Sequence, residues 1–160
     1  MLHCRKITAS DDPEIAKIIR SNLKQFRLDV PGTAYFDPAL DHLSEFYNCR
    51  PERRSYFVGL DENGQVIGGA GIAEFDGFTA CAELQKLYLA DAAKGKGYGT
   101  ELLRTAEAWA RRAGYRRLYL ETHTNLVAAM HLYEKMGFRQ IERPTGVVHG
   151  TMDHFYLKDL

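Results

Sequence analysis

Three glycines alternate in Gly95-Lys96-Gly97-Tyr98-Gly99, five residues after the apolar run Leu87-Tyr88-Leu89. A helical stripe follows at once: Leu102, Leu103, Ala106, Trp109, Ala110 and Ala113, with Glu101 in its first turn, Arg111 and Arg112 in its last, and Gly114 to stop it. A strand, a glycine loop and a helix in that order bring free backbone N–H groups and the positive end of a helix dipole to one place, an arrangement that receives phosphate. Glycine allows close backbone approach and positive φ, and Lys94 and Lys96 add positive charge. A tight strand-to-helix turn with no ligand would explain a lone G-x-G equally well. The spacing excludes the P-loop pattern G-x-x-x-x-G-K-[ST], and no third glycine completes G-x-G-x-x-G, so a simple nucleotide is a poor match.

The rest of the chain sets this loop in a mixed architecture. His3–Thr8 is a short first strand, and Ser10-Asp11-Asp12-Pro13 opens a helix carrying Ile15, Ile18, Ile19 and Leu23 at helical spacing. A loop over Asp29–Asp37 precedes a second helix with Leu40, Leu43, Phe46 and Tyr47 on one face. Ser55–Leu60, Val66–Phe75 and Cys81–Leu89 predict an antiparallel meander, with Asp76-Gly77 as its hairpin signal. After the glycine loop and its helix come a strand Arg117–Glu121, a helix from Asn125 to Met136, and strands near Phe138–Glu142 and Met152–Leu157. The expected fold is α/β (α+β by some schemes): a mixed, mostly antiparallel central sheet with helices on both faces.

A length of 160 residues suits one domain, and no linker or repeat divides it, so residues 1–160 read as a single domain. Lys+Arg and Asp+Glu are equal at 21 each, leaving no net charge to draw in nucleic acid or an anionic membrane. Cys4, Cys49 and Cys81 are an odd, scattered set, read as reduced thiols of a cytoplasmic protein. Neither a signal peptide nor a membrane-spanning stretch is expected, and His123, His149 and His154 lack the spacing of a metal site.

Two segments together resemble the GNAT superfamily of acetyl-CoA-dependent N-acetyltransferases. Lys94-Gly95-Lys96-Gly97-Tyr98-Gly99 is similar to its pyrophosphate signature Arg/Gln-x-x-Gly-x-Gly/Ala, with Lys in place of the usual first residue. Glu121-Thr122, Asn125, Ala129 and Leu132-Tyr133-Glu134-Lys135-Met136-Gly137-Phe138 match its second recognisable segment, and the order of elements matches end to end. The resemblance implies acetyl-CoA as co-substrate, no metal, and direct transfer to a primary amine of a small molecule or peptide in a ternary complex. An idle acyl-CoA-binding regulatory module is the alternative. Many members of the family dimerise, while Thr145–Leu160 carries nothing diagnostic of a homodimer.

The resemblance also assigns roles. The strand before the glycine loop splays from the next parallel strand, and the pantetheine arm lies in the V between them, against backbone groups of Leu87, Tyr88 and Leu89. The loop Lys94–Gly99, with Thr100, takes the pyrophosphate; Lys96 is the candidate for the ribose phosphate. Tyr133 protonates the leaving thiolate or, on the bland reading, is a core aromatic. Asn125 meets the pantetheine or simply caps its helix. Glu83, fourteen residues before Gly97, is the general base unless water takes that role; Gln85 shares its strand face. The acceptor is expected against the loop Asp29–Asp37, with Phe26, Tyr35, Phe36 and Tyr47 nearby.

Overall fold

In the computed structural model, which describes residues 1–160, side chains along β2 (Ser55–Leu60) alternate between two separate cores. Phe57 enters one, Tyr56 and Val58 the other, as the two-residue strand period requires. The other strands are β1 (His3–Lys6), β3 (Val66–Glu74), β4 (Cys81–Leu89), β5 (Arg117–Thr122), β6 (Arg139–Ile141) and β7 (His154–Asp159). They form one seven-stranded sheet in the order β1-β2-β3-β4-β5-β7-β6. Every pair is antiparallel except β4 with β5.

Helices α3 (Tyr98–Arg112) and α4 (Val127–Lys135) cover the first face, where Leu102, Leu103 and Ala106 pack on Ile72, Leu84 and Leu120. Helices α1 (Asp12–Gln25) and α2 (Leu43–Asn48) cover part of the second, with Ile15, Ile19, Leu23 and Leu43 against Tyr56 and Val58. A smaller cluster occupies the other half of the second face, where Tyr119 stacks on Phe75 with ring centroids 4.1 Å apart. The expected mixed sheet with helices on both faces is what forms. No helix is long and apolar enough to cross a membrane.

Local details differ from the sequence reading; the last strand, for one, runs His154–Asp159 rather than near Met152–Leu157. The second helix splits into a 3-10 turn, Leu40–His42, and a short α2. The last helix begins at Val127 rather than Asn125. The β3–β4 connection is longer than the two-residue turn Asp76-Gly77 suggests, and its positive φ falls on Ala80 (51°). Gly77 answers a steric demand instead: a Cβ there would stand 2.5 Å from Phe75 Cε1 and 2.9 Å from the Thr145 carbonyl oxygen.

Candidate active site

Strands β4 and β5 pair only through Cys81–Arg117, Ala82–Leu118 and Glu83–Tyr119, then part. The divergence follows a β-bulge: the β3–β4 register shifts between Gly69 and Gly71, and opposite this shift Lys86 adopts φ 52°. An extra residue bends the strand that carries it, and a left-handed non-glycine residue costs roughly 1–2 kcal/mol. Two contacts hold Lys86 there: Tyr56 Oη donates to its carbonyl at 2.9 Å, and its Nζ lies 2.9 Å from Asp37 Oδ2. The bulge also changes the phase of the strand, so Leu84, Leu87 and Leu89 all face the first core while Tyr88 joins the second.

The Ala90 N–H bonds to the Ile67 carbonyl at 2.8 Å. Since neighbouring residues of an extended strand point their amides to opposite sides, the Leu89 N–H faces the gap left by β5. Asn22, buried on α1, donates Nδ2 to the carbonyls of both Leu89 and Ile18 at 2.8 Å, fastening α1 to this edge.

The gap is a cavity of about 410 Å³, within the usual range for small-molecule sites. Leu87, Tyr88, Leu89, Lys94, Gly95, Gly97, Gly99 and Thr100 line it, as does Tyr133. Gly95 and Gly97 have φ 74° and 82°, with no heavy atom within 4 Å of where a Cβ would stand, so backbone conformation alone demands glycine there. Gly97 caps α3 without a side-chain hydrogen bond, and the first intrahelical bond runs from Glu101 N–H to its carbonyl. The amides of Tyr98, Gly99 and Thr100 therefore have no partner within the helix.

Three of the expected donor contacts lie outside this wall. Lys96 is exposed and Tyr98 packs against the first core. Asn125 neither lines the cavity nor caps α4, whose N-cap is Leu126; its Nδ2 donates to the Phe26 carbonyl at 2.9 Å. Lys94 reaches Asp91 Oδ1 at 2.6 Å and Gln25 Oε1 at 3.3 Å, tying the glycine loop to the end of α1.

Tyr133 is both core aromatic and cavity wall. Its ring centroid lies 5.9 Å from that of Phe138 and 6.2 Å from that of Tyr156, its hydroxyl has no protein partner, and burial raises its pKa so that it keeps its proton. Thr122 Oγ1, also in the wall, is buried and unpartnered. A trough with apolar sides, an outward strand N–H, lone hydroxyls and bare helix amides at one end fits a long amide-bearing thioester carrier ending in a diphosphate.

A smaller cavity, about 50 Å³, opens on the second face, in the polar gap between the two apolar clusters there. Leu84, Lys86, Tyr88, Glu121 and Met152 line both cavities. Glu83 lines the smaller one, and its only side-chain partner is neutral: Gln85 Nε2 donates to Oε2 at 3.2 Å, while Tyr47 Oη holds Gln85 Oε1 at 2.7 Å. Burial, then repulsion from Glu121, pushes the Glu83 pKa up to about 7.

Beside it, His149 places Nδ1 3.0 Å from Glu121 Oε1 and Nε2 2.7 Å from Asp37 Oδ1. Donating to two carboxylates takes two N–H groups, so the imidazolium form fits. Burial opposes that charge, but the hydrogen bonds of Asp37 and Glu121 outweigh it and raise the pKa to about 9. Burial acts to raise the pKa of Asp37, yet His149 and Lys86 hold it below its ordinary value. Tyr119 Oη donates to Glu121 Oε2 at 3.1 Å.

Of the expected acceptor lining, Asp37 joins this network and Tyr47 supports it through Gln85, whereas Phe26 lines the larger cavity and Asp29 is exposed. Asn22, Lys86, Glu121 and His149 escaped the sequence reading as site residues. A polar residue inside the stripe Ile15–Leu23 could have flagged Asn22, but nothing local announces His149, whose partners lie 28 and 112 residues away.

The family model for the acetyltransferase (GNAT) family matches residues 17–138. The uncharacterized N-acetyltransferase YjgM of Escherichia coli (strain K12) is 38% identical over 144 residues, covering 89% of this chain and 84% of that protein. The crystal structure of a GNAT-family acetyltransferase from Staphylococcus aureus Mu50 is similar with TM-score 0.88 at 19% identity, over 100% of this chain and 99% of that one. A phosphinothricin acetyltransferase from Sinorhizobium meliloti, solved in complex with AcCoA, gives TM-score 0.77 at 26% identity, over 99% and 88%.

Proposed function

The chain belongs to the acetyltransferase (GNAT) family, and we propose that it moves the acetyl group of acetyl-CoA to a primary amine by direct attack, with both substrates bound at once. The observation that carries this reading is the wall common to the two cavities, formed by Leu84, Lys86, Tyr88, Glu121 and Met152. It sets the trough suited to the thioester next to the pocket holding Glu83.

Acetyl-CoA supplies an activated acetyl carbonyl and a thiolate leaving group. Residues 1–160 act as one catalytic domain. The free amides at the start of α3 and the Gly95–Gly97 turn receive the pyrophosphate, with Lys96 available to the ribose phosphate, and the exposed edge of β4 pairs with the pantetheine as an added strand would. Glu83 takes a proton from the acceptor ammonium, leaving a lone pair that attacks the carbonyl carbon. The Leu89 N–H polarises the carbonyl oxygen as charge develops on it. When the C–S bond breaks, Tyr133 gives its proton to the thiolate, and the nitrogen sheds its second proton as the amide forms, restoring the Tyr133 phenol. A cytoplasmic setting suits three unpaired thiols.

Thiol release from acetyl-CoA, followed across amino acids, polyamines, aminoglycosides and peptides, tests the reading. Release that requires an amine, with an N-acetyl product, is the expected result. No binding of CoA at millimolar concentration by calorimetry would overturn it, and binding without release to any acceptor would favour the idle module.

A further inference from the structure

Each cation at the smaller cavity already has an anionic partner. Lys86 Nζ lies 2.9 Å from Asp37, and His149 bridges Asp37 and Glu121 at 2.7 and 3.0 Å. Two carboxylates, one ammonium and one imidazolium sum to zero, and Glu83 is left as the surplus acid. The other groups around Glu83 bring no further cation: Gln85 on its own strand, Tyr119 on β5, Tyr47 from α2, and Met152 and Ala34 from the covering loops. An acceptor ammonium would complement this wall. A carboxylate on the amine-bearing carbon would meet Glu83 and Glu121 with no free cation to receive it.

The loops that contribute Ala34 and His149 to this cavity have a second character. Phe36 is 59% exposed and Val148 84%, and they adjoin in sequence Asp37 and His149, the two residues in contact. Val30, also exposed, precedes Pro31, whose carbonyl accepts from Thr151 Oγ1 at 2.7 Å. Three of the five large apolar side chains left in solvent thus sit on the two loops joined over this cavity.

We infer that the acceptor is a primary amine with an apolar substituent and no carboxylate on the amine-bearing carbon. This rests on the transfer reaction proposed above and narrows its substrate: free α-amino acids are excluded. An arylalkylamine and the free α-amine of a peptide N-terminus, whose neighbouring carboxyl is tied up as an amide, share the chemistry.

The test is thiol release from acetyl-CoA with four acceptors, phenethylamine, L-phenylalaninamide, L-phenylalanine and ethylamine, compared per free amine. Phenethylamine or phenylalaninamide, whichever is preferred, should exceed phenylalanine in kcat/KM by about 100-fold, and phenethylamine should exceed ethylamine by about 10-fold. The ratio of the first two tells a small amine from a peptide terminus. Phenylalanine turned over as well as its amide would overturn the inference and leave amine transfer standing. So would failure of all four while other amines accept; failure of every amine overturns the transfer reading itself. The double variant Phe36→Ser, Val148→Ser should bring the phenethylamine-to-ethylamine ratio near one, and an unchanged ratio would remove the apolar rim from recognition.

Discussion

With its pKa raised to about 7, chiefly by burial, Glu83 changes charge in a range where activity and stability can both be followed. A base must be ionised to accept a proton, so kcat/KM should rise with pH through about 7. Glu83→Gln should abolish that acidic limb and lower kcat by about 10²–10⁴-fold; a limb that persists in the variant assigns the base elsewhere. Stability moves the other way. The folded-state pKa lies above the unfolded value of about 4.3, so the fold favours the protonated acid; that contribution is complete below the unfolded pKa and is lost as pH rises through about 7. Thermal melts should therefore find Glu83→Gln more stable than the parent at pH 8 and indistinguishable near pH 4. Tyr133 has a simpler expectation because its hydroxyl bonds to no protein group while its ring packs against Phe138 and Tyr156. Tyr133→Phe should keep the melting temperature and the KM for acetyl-CoA while kcat falls about 10²-fold. An unchanged kcat would return Tyr133 to the core alone.

At the scale of an element, the glycine loop shows which demands are local. Gly97 stands at φ 82° in open space, so Gly97→Ala meets no clash and only the backbone penalty of roughly 1–2 kcal/mol applies. Denaturant melts should register that loss. Calorimetry should show weaker acetyl-CoA binding as well, because the same conformation presents the first amides of α3; a loss of stability with unchanged affinity would separate the loop from the phosphate. This loop was legible in the sequence because its meaning lies within a few consecutive residues. The bulge at Lys86 was legible in principle: apolar positions run Ala82, Leu84, then Leu87 and Leu89, and the step of three between 84 and 87 breaks the strand period. Reading Cys81–Leu89 as one regular strand concealed it, and with it the cause of the splay. Asn125 misled because a polar residue at the start of a helix suits an N-cap, whereas here it ties the loop before α4 to the end of α1. Asp37 was expected among the acceptor lining, but its pairing with His149 was out of reach, since a pair brought together only by tertiary structure leaves no spacing to read.

Over the whole molecule, the parting of β4 from β5 leaves the two halves of the sheet joined unequally. On the first face one continuous core runs under both strands, from Leu84 to Leu118 and Leu120. On the second face two apolar clusters stand apart, with the Glu83–Glu121–His149 group between them. The trough draws its walls from α1 (Asn22), β4, the start of α3, β5 (Thr122) and α4 (Tyr133), which come together only in the folded chain. A ligand spanning them binds the native state and not the unfolded one, so at one hundred times its Kd it should add about 2.7 kcal/mol of stability. For a chain of this size that raises the melting temperature by about 5–10 °C. Acetyl-CoA should produce that shift in a thermal melt. A nucleoside diphosphate, which reaches the glycine loop but not the strand edge, should need a far higher concentration to match it. Equal shifts at equal concentration would mean that the loop binds alone and that the trough beside β4 contributes nothing to the donor.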